Sequence, residues 1–184
     1  MIEVEIKLKI DNIEVIRRKL INLGFSECDT LTEIDTYFDN KIGEIRSSDS
    51  ALRIRETINH TNDSHLCQVN FKGKKYDNIS MTRPEFETLI EDKAAMMGIL
   101  KGLGYSPVQP IVKKLRRELV MSNINACLDT VDGLGDYLEI EIVIDSEEDK
   151  DRELERIQNI LSKIGYSMAD TSTRSYLSQL CDIG

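Results

Sequence analysis

Carboxylates two residues apart recur along this chain, as Glu3-x-Glu5 near one end, Glu85-x-Glu87 in the middle and Glu139-x-Glu141 near the other end. Cations keep the same spacing in Arg53-x-Arg55 and Lys114-x-Arg116, while Lys7, Lys72 and Arg83 lie in segments of the same kind. In an extended strand, residues two apart share a face. Aliphatic residues fill the alternate positions: Ile2, Val4, Ile6 and Leu8 in the first segment, Leu138, Ile140 and Ile142 in the last. Carboxylates gathered on one face are hard oxygen ligands suited to Mg²⁺ or Mn²⁺. Lysines and arginines bind phosphate oxygens, Arg in two-pronged fashion. Together the two sets could do metal-assisted chemistry on a polyanion.

The elements that must position them are strands of an unusual kind. An ordinary antiparallel sheet turns one apolar face to the core and one mixed face to water. A single strand of this chain fits that description, with its charges as a solvated, salt-bridged surface. Six together do not, because their polar faces are almost wholly Glu, Lys and Arg, with few of the Thr, Ser or Gln residues of an exposed sheet. The pattern predicts helices outside and charges inside. The expected fold is α+β, a closed antiparallel β-barrel of about eight strands with helices packed outside, in which closure also hides the strand edges. Cations facing one another in such a lumen repel unless a bound anion or facing acids neutralise them. Internal salt bridges alone would serve as well.

Three amphipathic helices are expected. One starts near Asp11 or Asn12 and carries Ile13, Ile16, Leu20 and Leu23; another carries Met96, Leu100 and Leu103; a third carries Leu154, Ile157, Leu161 and Ile164. Each has a polar start and ends at a glycine followed by an aromatic (Gly24-Phe25, Gly104-Tyr105, Gly165-Tyr166). Each also follows a Glu-x-Glu strand, so a weak internal repeat occurs three times. Further strands are expected near 34–39, 51–57, 66–73, 111–121 and 125–131, with a last helix near 172–181. No Pro/Gly/Ser-rich linker divides the 184 residues, so residues 1–184 form one domain.

Hydrophobic residues make up 40% and charged residues 31%, a globular balance. The formal charge of −9, from 24 basic and 33 acidic residues, argues against nucleic acid as a partner, which needs a basic surface. The first residues alternate charged and aliphatic types, so neither a signal peptide nor a membrane span is expected and the cytoplasm is the expected location. The four isolated cysteines read as reduced thiols. His60, His65 and Cys67 lie in or beside a polar loop and are set aside as a metal site.

The ordered set of motifs resembles the CYTH domains, or triphosphate tunnel metalloenzymes. Glu3-x-Glu5-x-Lys7 is similar to the signature strand of that family, and the match continues through DTYFD at 35–39, LRIR at 52–55, FKG at 71–73, RPEFE at 83–87, Val112-x-Lys114-x-Arg116, LD at 128–129, GLGDYLEIE at 133–141 and SYL at 175–177. The family includes class IV adenylyl cyclases, thiamine triphosphatases and inorganic triphosphatases, and DTYFD and GLGDYLEIE look most like the cyclase branch. The resemblance implies a divalent cation, Mg²⁺ or Mn²⁺, on Glu3, Glu5, Asp129, Glu139 and Glu141. It implies phosphate binding by Lys7, Arg53, Arg55, Lys72, Arg83, Lys114 and Arg116, with Lys7, Lys72, Glu85 and Glu87 as candidate catalytic residues. The implied substrate is ATP, tripolyphosphate or thiamine triphosphate, and the implied reaction is that of an adenylyl cyclase. A triphosphatase is the alternative and a non-catalytic polyphosphate-binding module the lesser one; a homodimer is left open. Two departures stand out. Lys74 occupies a place where the family often has Pro, adding a cation for the tunnel mouth, and Leu119 one where it often has an aromatic, which leaves base recognition unassigned.

Overall fold

Alternation of Val4, Ile6 and Leu8 with Glu5 and Lys7 makes β1 (Ile2–Lys9), and the chain then turns into helix α1 (Ile13–Asn22). Asn12 caps that helix by accepting a hydrogen bond from the Val15 amide, which satisfies one of its free amino-terminal N–H groups. In this computed structural model residues 2–75, 83–144 and 146–183 are described, with the backbone alone for Ile2, Glu3 and Glu147. The long strand β2 (Ser26–Asp39) follows, then the short helix α2 (Glu44–Ser47), β3 (Ala51–Asn59) and β4 (Ser64–Lys72). The second part of the chain runs β5 (Arg83–Leu89), α3 (Lys93–Gly102), β6 (Ser106–Met121), β7 (Ile124–Val131) and β8 (Gly135–Ile144). Helices α4 (Lys150–Ile164) and α5 (Tyr176–Cys181) complete it.

Among the described residues eight strands pair antiparallel, in the order β1-β5-β4-β3-β2-β6-β7-β8. The sheet curls so far that β1, paired along its whole length with β8, also meets β5 through Ile2–Pro84 and Glu3–Arg83. The ladder thus returns on itself across a seam of two residue pairs. The expected strands are all present, and β2 and β6 begin earlier than periodicity indicates, because their first residues are held by pairing with each other (Ser26 with Val120, Asp39 with Ser106) rather than by an apolar stripe.

The apolar faces point outward, as expected. Val4, Ile6 and Leu8 of β1, Ala126 and Leu128 of β7, and Leu138, Ile140 and Ile142 of β8 form one core with Ile16 and Leu20 of α1 and Ile157, Leu161 and Ile164 of α4. Each such side chain contributes about 1.5–3 kcal/mol when fully removed from water. Helix α3 covers Phe38 and Ile54 with Leu100, in a smaller second core. Helix α5 differs: Tyr176, Leu177 and Leu180 pack on Val112, Val131, Leu134 and Tyr137.

The repeat needs correction. Its first two copies are true counterparts: β1-α1-β2-β3-β4 and β5-α3-β6-β7-β8 exchange without altering the strand order. Asn12 and Asp92 cap the equivalent helices with the same bond to the third amide on, and Gly24 and Gly104 both leave them with positive φ (102° and 93°). The third copy, β8 with α4, is not in this relation. It shares the local pattern because any charged-inside strand followed by an outer helix produces it, whereas the counterpart of β8 is β4.

Candidate active site

The polar faces of the strands enclose a cavity of about 1000 Å³, at the upper end of the range of roughly 300–1,000 Å³ for small-molecule sites. Among the described residues ten of its lining side chains are Lys or Arg and seven are Asp or Glu, in a chain of formal charge −9. The cations are therefore concentrated here, as an anionic ligand requires.

Register explains how the charges meet. Asp35 of β2 is paired with Arg55 of β3, whose guanidinium donates to both its carboxylate oxygens (Nε to Oδ1 2.7 Å, NH2 to Oδ2 2.8 Å) and to Glu33 (2.8 Å). Arg53 adds a bond to Asp35 at 3.2 Å. Across the barrel wall Asp129 of β7, 0% exposed, accepts from Arg116 Nε and NH2 at 2.7 Å each, from Lys114 at 2.8 Å and from the Tyr176 hydroxyl at 3.0 Å. Arg116 also bonds Glu139 and lies 3.5 Å from Glu141. Lys114 approaches Glu33 to 3.1 Å and so joins the two groups, although Glu33 Oε2 forms no hydrogen bond. Lys7, 2% exposed, sits 3.6 Å from Glu139 with its ammonium 4.5 Å from the centre of the Tyr176 ring. On β4 and β5, Lys72 bonds Glu85 at 2.8 Å, and Asn70 and Gln68 donate to Glu87 at 2.7 and 3.1 Å. Interleaved acids thus replace the mutual repulsion of cations expected from the pattern.

Two features break this self-neutralisation. Glu5 is 8% exposed, lines the cavity and has no hydrogen-bond or ion-pair partner among the described residues, yet it faces Glu141 directly across the β1–β8 ladder. Like charges placed opposite are destabilising unless a cation joins them. Arg53 and Arg83, both lining the cavity, have buried Nε atoms that find no acceptor. An unpaired buried donor costs about 1–3 kcal/mol, so a ligand oxygen there is favoured.

Of the remaining expected residues, Glu139 and Glu141 line the cavity, whereas Asp129 does not and its oxygens are occupied by Arg116, Lys114 and Tyr176. Glu3 lies one step along β1 from this wall, opposite Val143, with its side chain outside the described residues. Among the described residues no three His, Cys, Asp or Glu side chains are already arranged as a metal site, and His60 instead bonds Thr32 at 2.8 Å. Leu119 is buried in the helix-covered core and takes no part in the cavity, while Lys74 is exposed and the added cation of the lining is Lys75, bonded to Asp49. Glu33 and Asn70 were not singled out from sequence, while Asp35 and Tyr176 lie within the DTYFD and SYL motifs but were given no role. The alternation Glu33-Ile34-Asp35 carried a signal for both acids; the asparagine carried none.

The buried acids predict an acid-sensitive fold. Burial opposes ionisation of Glu33, but Lys114, Arg55, Arg116 and Arg53 overcome it and hold its carboxyl well below the usual range; Arg53 and Arg55 do the same for Asp35. A folded-state pKa below the unfolded one contributes stability above about pH 4, and that contribution is lost as pH falls towards the folded value. Urea midpoints should therefore be insensitive to these groups from pH 7 to about 5 and fall steeply below about 4. Glu33→Gln should flatten that fall; an unchanged slope would count against the assignment.

The antiparallel sheet thus turns its apolar faces outward under the helices and encloses an inner cavity ringed by ion pairs. A family model for the CYTH domain matches residues 1–176, and the chain belongs to that family. A Methanocaldococcus jannaschii protein named as a candidate adenylate cyclase is 40% identical over 177 residues, 96% of this chain and 97% of its own length. Adenylate cyclase CyaB of Aeromonas hydrophila is 28% identical over 182 residues, 98% of this chain and 88% of its own. Among solved structures, a Pyrococcus horikoshii protein matches with a TM-score of 0.88 at 28% identity, covering 99% of both chains. No helix is long and apolar enough to cross a membrane among the described residues.

Proposed function

We propose that this protein is a metal-dependent enzyme acting on a triphosphate, and that its reaction is that of an adenylyl cyclase, ATP to cyclic AMP and pyrophosphate. The observation that carries the reading is the pairing, in one cavity, of two arginines with unsatisfied buried Nε donors and a buried glutamate that faces another glutamate. The first asks for anionic oxygen and the second for a cation. The names of the relatives favour the cyclase.

Glu5, Glu141 and Glu139, with Glu3 by its place on β1, are the residues that would hold Mg²⁺ or Mn²⁺; their all-oxygen donor set fits either ion. When bound, the ion supplies charge neutralisation to the phosphates and Lewis acidity to the attacking 3′-hydroxyl. Arg53 and Arg83 take phosphate oxygens with donors that are unused in the protein itself, and Lys7 and Lys72 add point charges. This basic wall stabilises the charge that develops on the leaving pyrophosphate. Arg55, Lys114 and Arg116 are engaged with Asp35, Glu33, Asp129 and Glu139, and set the field more than they grip the substrate. Asp129 acts by positioning Lys114 and Arg116. Glu85 and Glu87 hold Lys72 and the β4 amides in place.

Incubation of the purified protein with Mn²⁺ and, separately, ATP, tripolyphosphate and thiamine triphosphate should yield cyclic AMP and pyrophosphate from ATP. Orthophosphate from all three, with no cyclic AMP, would make it a triphosphatase. No turnover would leave a binding module.

A further inference from the structure

Lys7 is held differently from Arg55, Lys114 and Arg116. Among the described residues its buried ammonium makes no hydrogen bond, and Glu139, at 3.6 Å, stands beyond hydrogen-bonding distance. What it has instead is a ring: the Tyr176 centroid lies 4.5 Å from Nζ, within the roughly 6 Å over which an aromatic face attracts a cation. Lys114 also approaches that ring, at 5.3 Å, but its N–H donors are taken up by Asp129 and its charge is shared with Glu33. The ring is itself fixed on three sides. Its hydroxyl donates to Asp129 at 3.0 Å, it meets Tyr137 edge to face with centroids 5.0 Å apart, and Val112 and Val131 pack with it in the core under α5. Burial, with Glu139 and Asp129 beside it, pushes the phenol well above its ordinary pKa, so it remains a neutral donor.

The segment leading to Tyr176 grips the same lysine a second time, at its backbone. Ser172 donates its amide to the Lys7 carbonyl at 2.7 Å, and Thr171 bridges Leu8. One stretch of chain thus holds Lys7 at both its carbonyl and its ammonium. We infer that Tyr176 is a positioning residue for Lys7: its ring fixes the ammonium at the cavity wall while leaving the N–H donors free for oxygens of the substrate. This rests on the triphosphate reading proposed above and gives helix α5 a part in it. A carboxylate in the place of the ring would fix the ammonium too, but it would occupy a donor and cancel the charge; the negative face of a ring does neither. Without the ring, Lys7 regains the rotamer freedom of its four-carbon stem and is able to close on Glu139, from which a phosphate would then have to recover it.

The test is calorimetric titration of the intact protein with tripolyphosphate, in chelator so that no metal contributes and no turnover occurs. Tyr176→Leu, which keeps an apolar side chain and removes the ring, is expected to weaken binding roughly 3–30-fold, the range of one cation–π contact. Tyr176→Phe keeps the ring and should retain the greater part of what the leucine variant loses. In a Lys7→Met background the same Tyr176→Leu change should cost less than about 2-fold, because the ammonium that the ring positions is gone. An equal loss in both backgrounds would make Tyr176 a packing residue and overturn the inference, as would a phenylalanine variant as weak as the leucine one. If Tyr176→Leu does not fold, phenylalanine and its progressively fluorinated analogues at position 176 keep the ring's shape while draining its face of negative charge. Affinity should then fall step by step along the series, and a flat series overturns the inference equally. A wild type that does not bind tripolyphosphate overturns the triphosphate reading and this inference together, whereas binding without coupling between positions 7 and 176 overturns the inference alone.

Discussion

Asp129→Ala is expected to lower folding stability by about 3–5 kcal/mol, the cost of removing one partner from a buried ion group. Four donors converge on that carboxylate, two from Arg116 and one each from Lys114 and Tyr176, and none of it reaches solvent. Deleting it leaves two buried cations with fewer acids than they need. For a chain of this size the melting temperature should drop by roughly 6–20 °C. Asp129→Asn, which keeps the shape and some hydrogen bonding, should lose less. Chemical denaturation of the three proteins measures this, and a loss below about 1 kcal/mol for the alanine variant would show that Asp129 does not anchor the basic wall.

Glu5→Gln should do the opposite, lowering turnover while sparing the fold. Outer-sphere partners of metal ligands typically cost about 10–100-fold when removed, so loss of a ligand itself should exceed about 100-fold. Stability should stay level or rise, because the carboxylate is buried without a partner among the described residues and a neutral amide of the same shape is cheaper to bury. Initial rates over a range of Mn²⁺, with a thermal melt of each protein, separate the two effects. A variant with full activity and the same metal requirement would remove Glu5 from the metal wall; one that loses activity only as it unfolds would make its role structural.

The strand pattern was legible because β1 alternates charged and aliphatic residues along its whole length and β8 does the same over 138–142. That regularity sufficed for the antiparallel sheet, the outer helices and most of the cavity wall. Partnership was not legible. Whether Arg116 meets a substrate or Asp129 depends on the registers of β6, β7 and β8, and no local pattern encodes a register between strands. Lys7 and Lys114 resting on the Tyr176 ring, at 4.5 and 5.3 Å, is a contact between three separate elements that periodicity cannot reveal. Helix α5 was likewise visible as a helix near 172–181, but not as the element that brings this ring to the lysines, because its apolar residues pack on the inner face and look from sequence like those of any outer helix.

The pairing of Ile2 with Ile144 constrains the order in which a nascent chain can complete this fold. At roughly 5–20 residues per second, β1 leaves the ribosome on the order of ten seconds before its partner β8 exists. During that wait its backbone donors and acceptors have no ladder, and a bare apolar strand would recruit other chains. Glu5, Lys7 and Lys9 make one face of β1 repel such pairing, and α1, emerging immediately after it, has Ile16 and Leu20 available for the other. The charges that later serve the cavity therefore first act as a guard on an orphan strand, and the Glu5–Glu141 wall comes into being only when the ladder has come round.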